Sequence, residues 1–295
     1  MSSVRFSQEF LTKLEYLYVV SRKVFAGKMR GERRTKKVGA GVEFADHRNY
    51  TAGDDLRYLD WAVYGRLERL LIRLFEEEED LHIYLLVDGS ASMRQNGKLD
   101  YAVTVAAALA YIGLAKLDRV SVVPLGLDVD GRARPRLPPS RGRGNIWKVL
   151  GFLEALEGSG PTALVKSIEG FVHATKRRGL AVVLSDFYDL DGPAAALDLL
   201  RFHRFEPTVL QIWSAKEARP DLRGDVELVD AETGERRDVT ITERALAAYM
   251  RAHAALTNDL AAYCASHGVG YFKADTNVPF DELLLRMLRE GGFLS

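Results

Sequence analysis

The stretch HIYLLVDGSASM, residues 82–93, decides the fold of this chain. Its apolar run, Ile83 to Val87, is rich in β-formers and stops at Asp88-Gly89, the pattern of a strand buried on both faces of a sheet. Beyond the run, Asp88, Ser90 and Ser92 alternate with the small residues Gly89 and Ala91. A tight loop can then turn one carboxylate and two hydroxyls toward a common point. Such a nest of hard oxygens suits Mg²⁺, which takes octahedral oxygen coordination at about 2.0–2.1 Å and keeps several waters. The same residues also read as the Asp and Ser caps of a strand-to-helix turn.

Working outward, residues 180–185 form a second apolar strand that ends at Asp186, and Thr162 lies in GSGPTAL, residues 158–164, between two predicted helices. Pro161 ends the approach, and Thr162 can cap the helix that follows. Ligands of open parallel sheets bind outside the carboxyl ends of the strands, where such loops converge. The order D-x-S-x-S, then Thr, then a strand-terminal Asp resembles the metal-ion-dependent adhesion site of von Willebrand factor type A domains. That resemblance implies a divalent ion, Mg²⁺ with Mn²⁺ or Ca²⁺ as alternatives, on Asp88, Ser90, Ser92, Thr162 and Asp186. Asp189 and Asp191 compete with Asp186 but lie past the strand end.

At 295 residues the chain can bury a sizeable core, and its 41 basic and 41 acidic side chains leave no overall field to draw nucleic acid or anionic membrane. The single cysteine, Cys264, excludes an intramolecular disulfide and fits a reducing cytoplasm. Residues 101–115, the longest apolar run, are too few and too Ala-rich to span a bilayer, and no signal-peptide core is visible.

In chain order, Phe6, Phe10, Leu14, Leu17 and Val24 recur at helical spacing and predict an amphipathic helix packed on the body. The basic run 28–37 reads as a solvated loop. Residues 42–79 alternate charges of both signs with Phe44, Tyr50, Tyr58, Trp61 and Tyr64, which predicts an ion-paired clasp fastening residues 1–79 onto a main domain at 80–295. Residues 97–117 predict a long helix against the sheet. Residues 127–144 predict an Arg-rich excursion with a hairpin tip at Asp128 to Gly131, a contact surface for an acidic protein partner. Residues 219–242 predict a β-hairpin extending one sheet edge. Alternating strands and helices give a three-layer α/β sandwich, a doubly wound and mostly parallel sheet between helices.

The string EFADHRNYTAGDDLRYLDW, followed by LLVDGSASM and later by Leu184-Ser185-Asp186-Phe187, resembles the bacterial family called domain of unknown function 58. The resemblance implies a von Willebrand factor A-like body and association with MoxR-type AAA+ ATPases. Two N-terminal membrane helices, carried by many relatives, have no counterpart in this sequence, so no membrane span is expected. The expected function is a non-enzymatic, metal-dependent protein-binding module whose partner, the ATPase or its client, supplies an Asp or Glu to the metal. The alternatives are a metal-dependent hydrolase or phosphotransferase on the same residues, with Lys98 the nearest candidate base, and a metal-free scaffold.

Overall fold

Apolar segments too short for helices alternate with Ala- and Leu-rich segments long enough for them, and the computed structural model resolves them into strands and helices. It describes residues 6–28, 35–38, 43–77, 81–127, 131–189 and 192–290. The chain divides into two compact units, Met1–Val24 with Leu81–Leu294, and Phe25–Asp80. The expected segment 1–79 is thereby split between them. Helix α1 (Gln8–Lys28) begins in the first unit, where Phe10, Leu14 and Leu17 are buried and Phe10 packs against Phe280 at 5.2 Å.

The second unit is an antiparallel sheet in the order β1-β3-β2, made of β1 (Thr35–Val38), β2 (Glu43–Asn49) and β3 (Leu71–Glu77), with helix α2 (Trp61–Leu67) before β3. Its charges pair within the unit. Arg48 grips Asp54 through both terminal nitrogens at 2.8 and 2.6 Å, and His47 bonds Asp60, which also caps α2 by accepting from the amides of Ala62 and Val63. Trp61 is 60% exposed and edge-on to Tyr64 at 6.2 Å. Of the basic run 28–37, residues 29–34 lie outside the described residues, and Thr35–Val38 is a strand rather than a loop.

In the first unit the strands β4 (His82–Asp88), β5 (Arg119–Leu125), β6 (Leu137–Arg141), β7 (Leu180–Ser185), β8 (Glu206–Trp213) and, after a hairpin, β11 (Gly270–Asp275) form a six-stranded sheet. Its order is β11-β8-β7-β4-β5-β6, parallel except for β6, which runs antiparallel to β5 at one edge. Helices α3 (Lys98–Ala115), α4 (Ile146–Glu154), α5 (Leu164–Ala174), α6 (Pro193–Phe202), the single turn α7 (Ala215–Ala218), α8 (Glu243–Ser266) and α9 (Phe280–Glu290) complete the unit. This is a three-layer α/β sandwich with a mostly parallel sheet. Side chains of a strand alternate between faces, so Tyr84 and Leu86 join the cluster of Ile168, Phe171, Leu197 and Leu260 from α5, α6 and α8. Ile83 points the other way, toward α3. A Cβ on Gly113 of α3 would come within 2.8 Å of Ile83 Cδ1 and 2.9 Å of Val120 Cγ2, so glycine there sets how closely that helix approaches the sheet.

One expectation changes. The hairpin β9 (Gly224–Val229) and β10 (Arg236–Ile241) pairs only with itself and does not extend the six-stranded sheet. Several arginines of the excursion also brace loops: Arg134 bonds the carbonyls of Glu157, Ser159 and Leu127, Arg136 bonds Ala174, and Arg141 bonds Leu117, while Arg132, Arg136, Arg141 and Arg143 stay exposed. Asp128 to Asp130 of the expected tip lie outside the described residues. The segment Ser92–Ala115 is long and apolar enough to cross a membrane, but 78% of its apolar 18-residue stretch is buried within the fold.

Candidate functional site

The site forms where β4 and β7 end side by side. These neighbours are in parallel register, Val87 opposite Leu184, so the next residues, Asp88 and Ser185, are adjacent, and Ser185 Oγ donates to Asp88 Oδ2 at 2.5 Å. The chain leaves β4 for β5 on one side and later returns to β7 on the other. The carboxyl end of β4 is therefore a switch point of the sheet, where the loops part and leave a crevice.

The loop after β4 folds back on its own carboxylate. Ser90 N–H donates to Asp88 Oδ1 at 2.9 Å, and the Ser90 and Ser92 hydroxyls lie 3.0 Å apart. Ser92 Oγ donates to Asp186 Oδ2 at 3.1 Å, so an unbroken chain of hydrogen bonds joins the two strand ends. Asp88, Ser90 and Asp186 are fully buried. The facing loop is pressed onto this one: Ala91 N–H donates to Gly160 O, Ser159 N–H donates to Gly89 O, and a Cβ on Gly158 would lie 3.0 Å from Ser90 O.

Thr162 sits on that facing loop, but neither the Asp88 loop nor Asp186 binds it. Its amide and its hydroxyl both donate to the carboxylate of Glu232, at the tip of the β9–β10 hairpin, the amide at 3.1 Å. Nor does Thr162 cap α5. The Leu164 amide in the first turn of that helix donates instead to Asp189 Oδ2 at 2.6 Å, which gives Asp189 a structural duty. Asp191, the other competitor, lies outside the described residues. Four of the five expected residues are thus linked by hydrogen bonds, and the fifth is held against a different carboxylate.

Sequence reasoning named Lys98 only as a candidate base and missed its charge pairing. Lys98, at the start of α3 and almost fully buried, donates from Nζ to Asp186 Oδ2 at 2.7 Å and lies 2.8 Å from Glu217 Oε1, with the Tyr188 ring 5.1 Å away. Burial works against its charge, but Asp186 and Glu217 together hold the ammonium above the ordinary lysine range. Tyr188 O–H and His253 Nε2, 2.6 Å apart, close the cluster on the α8 side. Burial, then the nearby Asp186, pushes the Asp88 carboxyl up to about 6, against the hydrogen bonds from Ser185 and Ser90. Glu217 and Glu232 had no local signature. One sits in a single helical turn after β8 and the other, 70 residues from Thr162, in an otherwise exposed hairpin.

The donor set fits a divalent ion. Asp88, Asp186 and Glu217 bring three negative charges when ionised and Lys98 one positive, a net of two negative around buried oxygens. Among the described residues, no three His, Cys, Asp or Glu side chains gather as a metal cage, so the hydroxyls of Ser90 and Ser92 would have to act beside the carboxylates. Hard cations that keep part of their water shell accept such sparse sets.

Fold and site together define an open-sheet α/β protein with a carboxylate and hydroxyl crevice at its central strand end. A match to the family described as protein of unknown function DUF58 covers residues 46–258, and the chain belongs to that family. Similar relatives include the uncharacterized proteins Mb1516 of Mycobacterium bovis and Rv1480 of Mycobacterium tuberculosis, each 30% identical over 258 residues, 84% of this chain and 79% of the relative. Solved structures similar to it include an aerotolerance-related membrane protein from Bacteroides fragilis, at 16% identity and TM-score 0.44, covering 71% of this chain and 99% of that one. BatB from Bacteroides thetaiotaomicron follows at 13% identity and TM-score 0.43, covering 72% and 100%.

Proposed function

We propose that this protein is a non-enzymatic, divalent-cation-dependent binding module of the von Willebrand factor A kind, working in the cytoplasm as partner of a MoxR-type AAA+ ATPase or of that ATPase's client. The observation that carries the reading is the burial of Asp88 and Asp186 on adjacent strand ends, joined through Ser90 and Ser92, with too little positive charge to balance them. Asp88, Ser90, Ser92 and Asp186 would hold the ion, Mg²⁺ or alternatively Mn²⁺ or Ca²⁺, with Thr162 facing them from the next loop. When bound, the ion supplies positive charge that an acidic side chain of the partner can meet, in a crevice whose buried walls strengthen that attraction. The protein groups do the positioning: the Ser90 amide and the Ser185 hydroxyl fix the Asp88 carboxylate, and Lys98 and the Tyr188 amide fix Asp186. A non-catalytic role is supported by the state of Lys98, which bridges two carboxylates that hold it charged and leave it no lone pair to act as a base.

Calorimetry with Mg²⁺, paired with co-purification with and without chelator, tests the reading. Asp88→Ala should abolish Mg²⁺ binding and Ser90→Ala should weaken it, with partner capture falling in the same order. Metal affinity lost at unchanged capture would make the ion incidental, and capture indifferent to chelator would favour a metal-free scaffold.

A further inference from the structure

We infer that the β9–β10 hairpin is a built-in latch: its tip carboxylate, Glu232, occupies the place at Thr162 that an acidic side chain of a partner would take, so the site is closed in cis until the hairpin is displaced. The inference rests on the proposed carboxylate-binding role of the crevice and adds its regulation. Glu232 takes both polar hydrogens of Thr162, the amide and the hydroxyl, so the residue expected to face an incoming ligand is already saturated by the chain itself. Thr162 is only 3% exposed with the hairpin in place.

The hairpin is built as an arm. Its strands pair with each other alone and are mostly exposed, and an isolated two-stranded ribbon is marginally stable in water. Its tip is stiff: Asp230 Oδ1 accepts from the amides of Glu232 and Thr233 and from the Thr233 hydroxyl. These bonds fix the turn from which Glu232 projects. A pure strut would have no need of a charged end, whereas a carboxylate tethered close to the site reaches a millimolar effective concentration and excludes weak ligands without large affinity of its own.

Two measurements on the full chain test the latch. In the metal-free protein, amide hydrogen exchange at Thr162 and along residues 224–241 should speed up at least about tenfold in Glu232→Ala relative to the parent, and unchanged exchange would overturn the latch. Binding of a cyclised peptide of residues 229–236, with its Glu→Gln analogue as control, is then followed by fluorescence anisotropy in Mg²⁺. Glu232→Ala should bind the acidic peptide at least about tenfold more tightly than the parent and ignore the analogue. With Mn²⁺ binding retained, equal binding by parent and variant, or by neither, would also overturn the latch. Mn²⁺ binding, read by water-proton relaxation on both proteins, separates the two ideas. Retained Mn²⁺ with no difference in peptide binding sinks the latch alone. Absent Mn²⁺ in both proteins sinks the metal reading, and the exchange data still decide the latch.

Discussion

Lys98 shows how one buried side chain can hold a site together. Its ammonium lies between Asp186 and Glu217, and replacing it by methionine would leave two carboxylates without their cation in a largely dry setting. Breaking such a pair from one side costs on the order of 3–5 kcal/mol. Lys98→Met should therefore lower the denaturant midpoint strongly, and millimolar Mg²⁺ should restore more stability to the variant than it adds to the parent. A variant as stable as the parent, or one that Mg²⁺ does not help, would contradict the charge balance described. Ser90 is fully buried and its hydroxyl lies against Ser92. Ser90→Ala should accordingly cost about 0.5–1.5 kcal/mol in addition to its effect on metal. Asp88, Ser90, Ser92 and Asp186 were legible because they sit at the ends of apolar runs, where strand chemistry stops abruptly. Glu217 and Glu232 were not, because their roles come from the path of the chain between β8 and α8, which no local pattern specifies.

Among the elements, the long helix and the strands it covers were readable from periodicity, and the edge strand β6 was not. Its sequence, LPPSR, has two prolines and an arginine, which argue against a strand unless it lies at an edge where an amide is dispensable, and β6 is an edge strand. Gly113 is the more telling helix position. A side chain there would press into Ile83 and Val120, and overpacking of a tight core costs about 1–3 kcal/mol, more than the roughly 1 kcal/mol that a better helix former returns. Gly113→Leu should thus lower the thermal midpoint by several degrees, and calorimetry that finds it unchanged or raised would show that α3 can retreat from the sheet.

At the scale of the whole molecule, two units of different character share one chain. The Phe25–Asp80 unit displays partly exposed ion pairs, and there the Arg48 guanidinium and then the Thr51 amide hold the Asp54 carboxyl well below the usual carboxylate range. A depressed carboxyl contributes stability at pH values above its unfolded value, and loses it as pH falls below about 4. With Trp147 and Trp213 replaced by phenylalanine, Trp61 fluorescence should report an acid transition of this unit that Asp54→Asn flattens. An identical acid profile in both proteins would remove the Arg48–Asp54 pair from the account. The mostly parallel sheet of the larger unit followed from the alternation of strands and helices, while the split of residues 1–79 did not, since charge alternation marks an ion-paired surface without saying which body it belongs to.

The lone thiol has a practical side. Cys264 is fully buried on the core side of α8, and burial pushes it up to about 11, so at neutral pH it is both shielded and protonated. Maleimide or iodoacetamide should leave the native protein unlabelled and react fully only after denaturation, as mass spectrometry would record. The natural sequence then serves as a silent background for single-site chemistry: Thr233→Cys places one reactive handle on the hairpin tip, where a dye or spin label can watch the arm move with no native cysteine to remove.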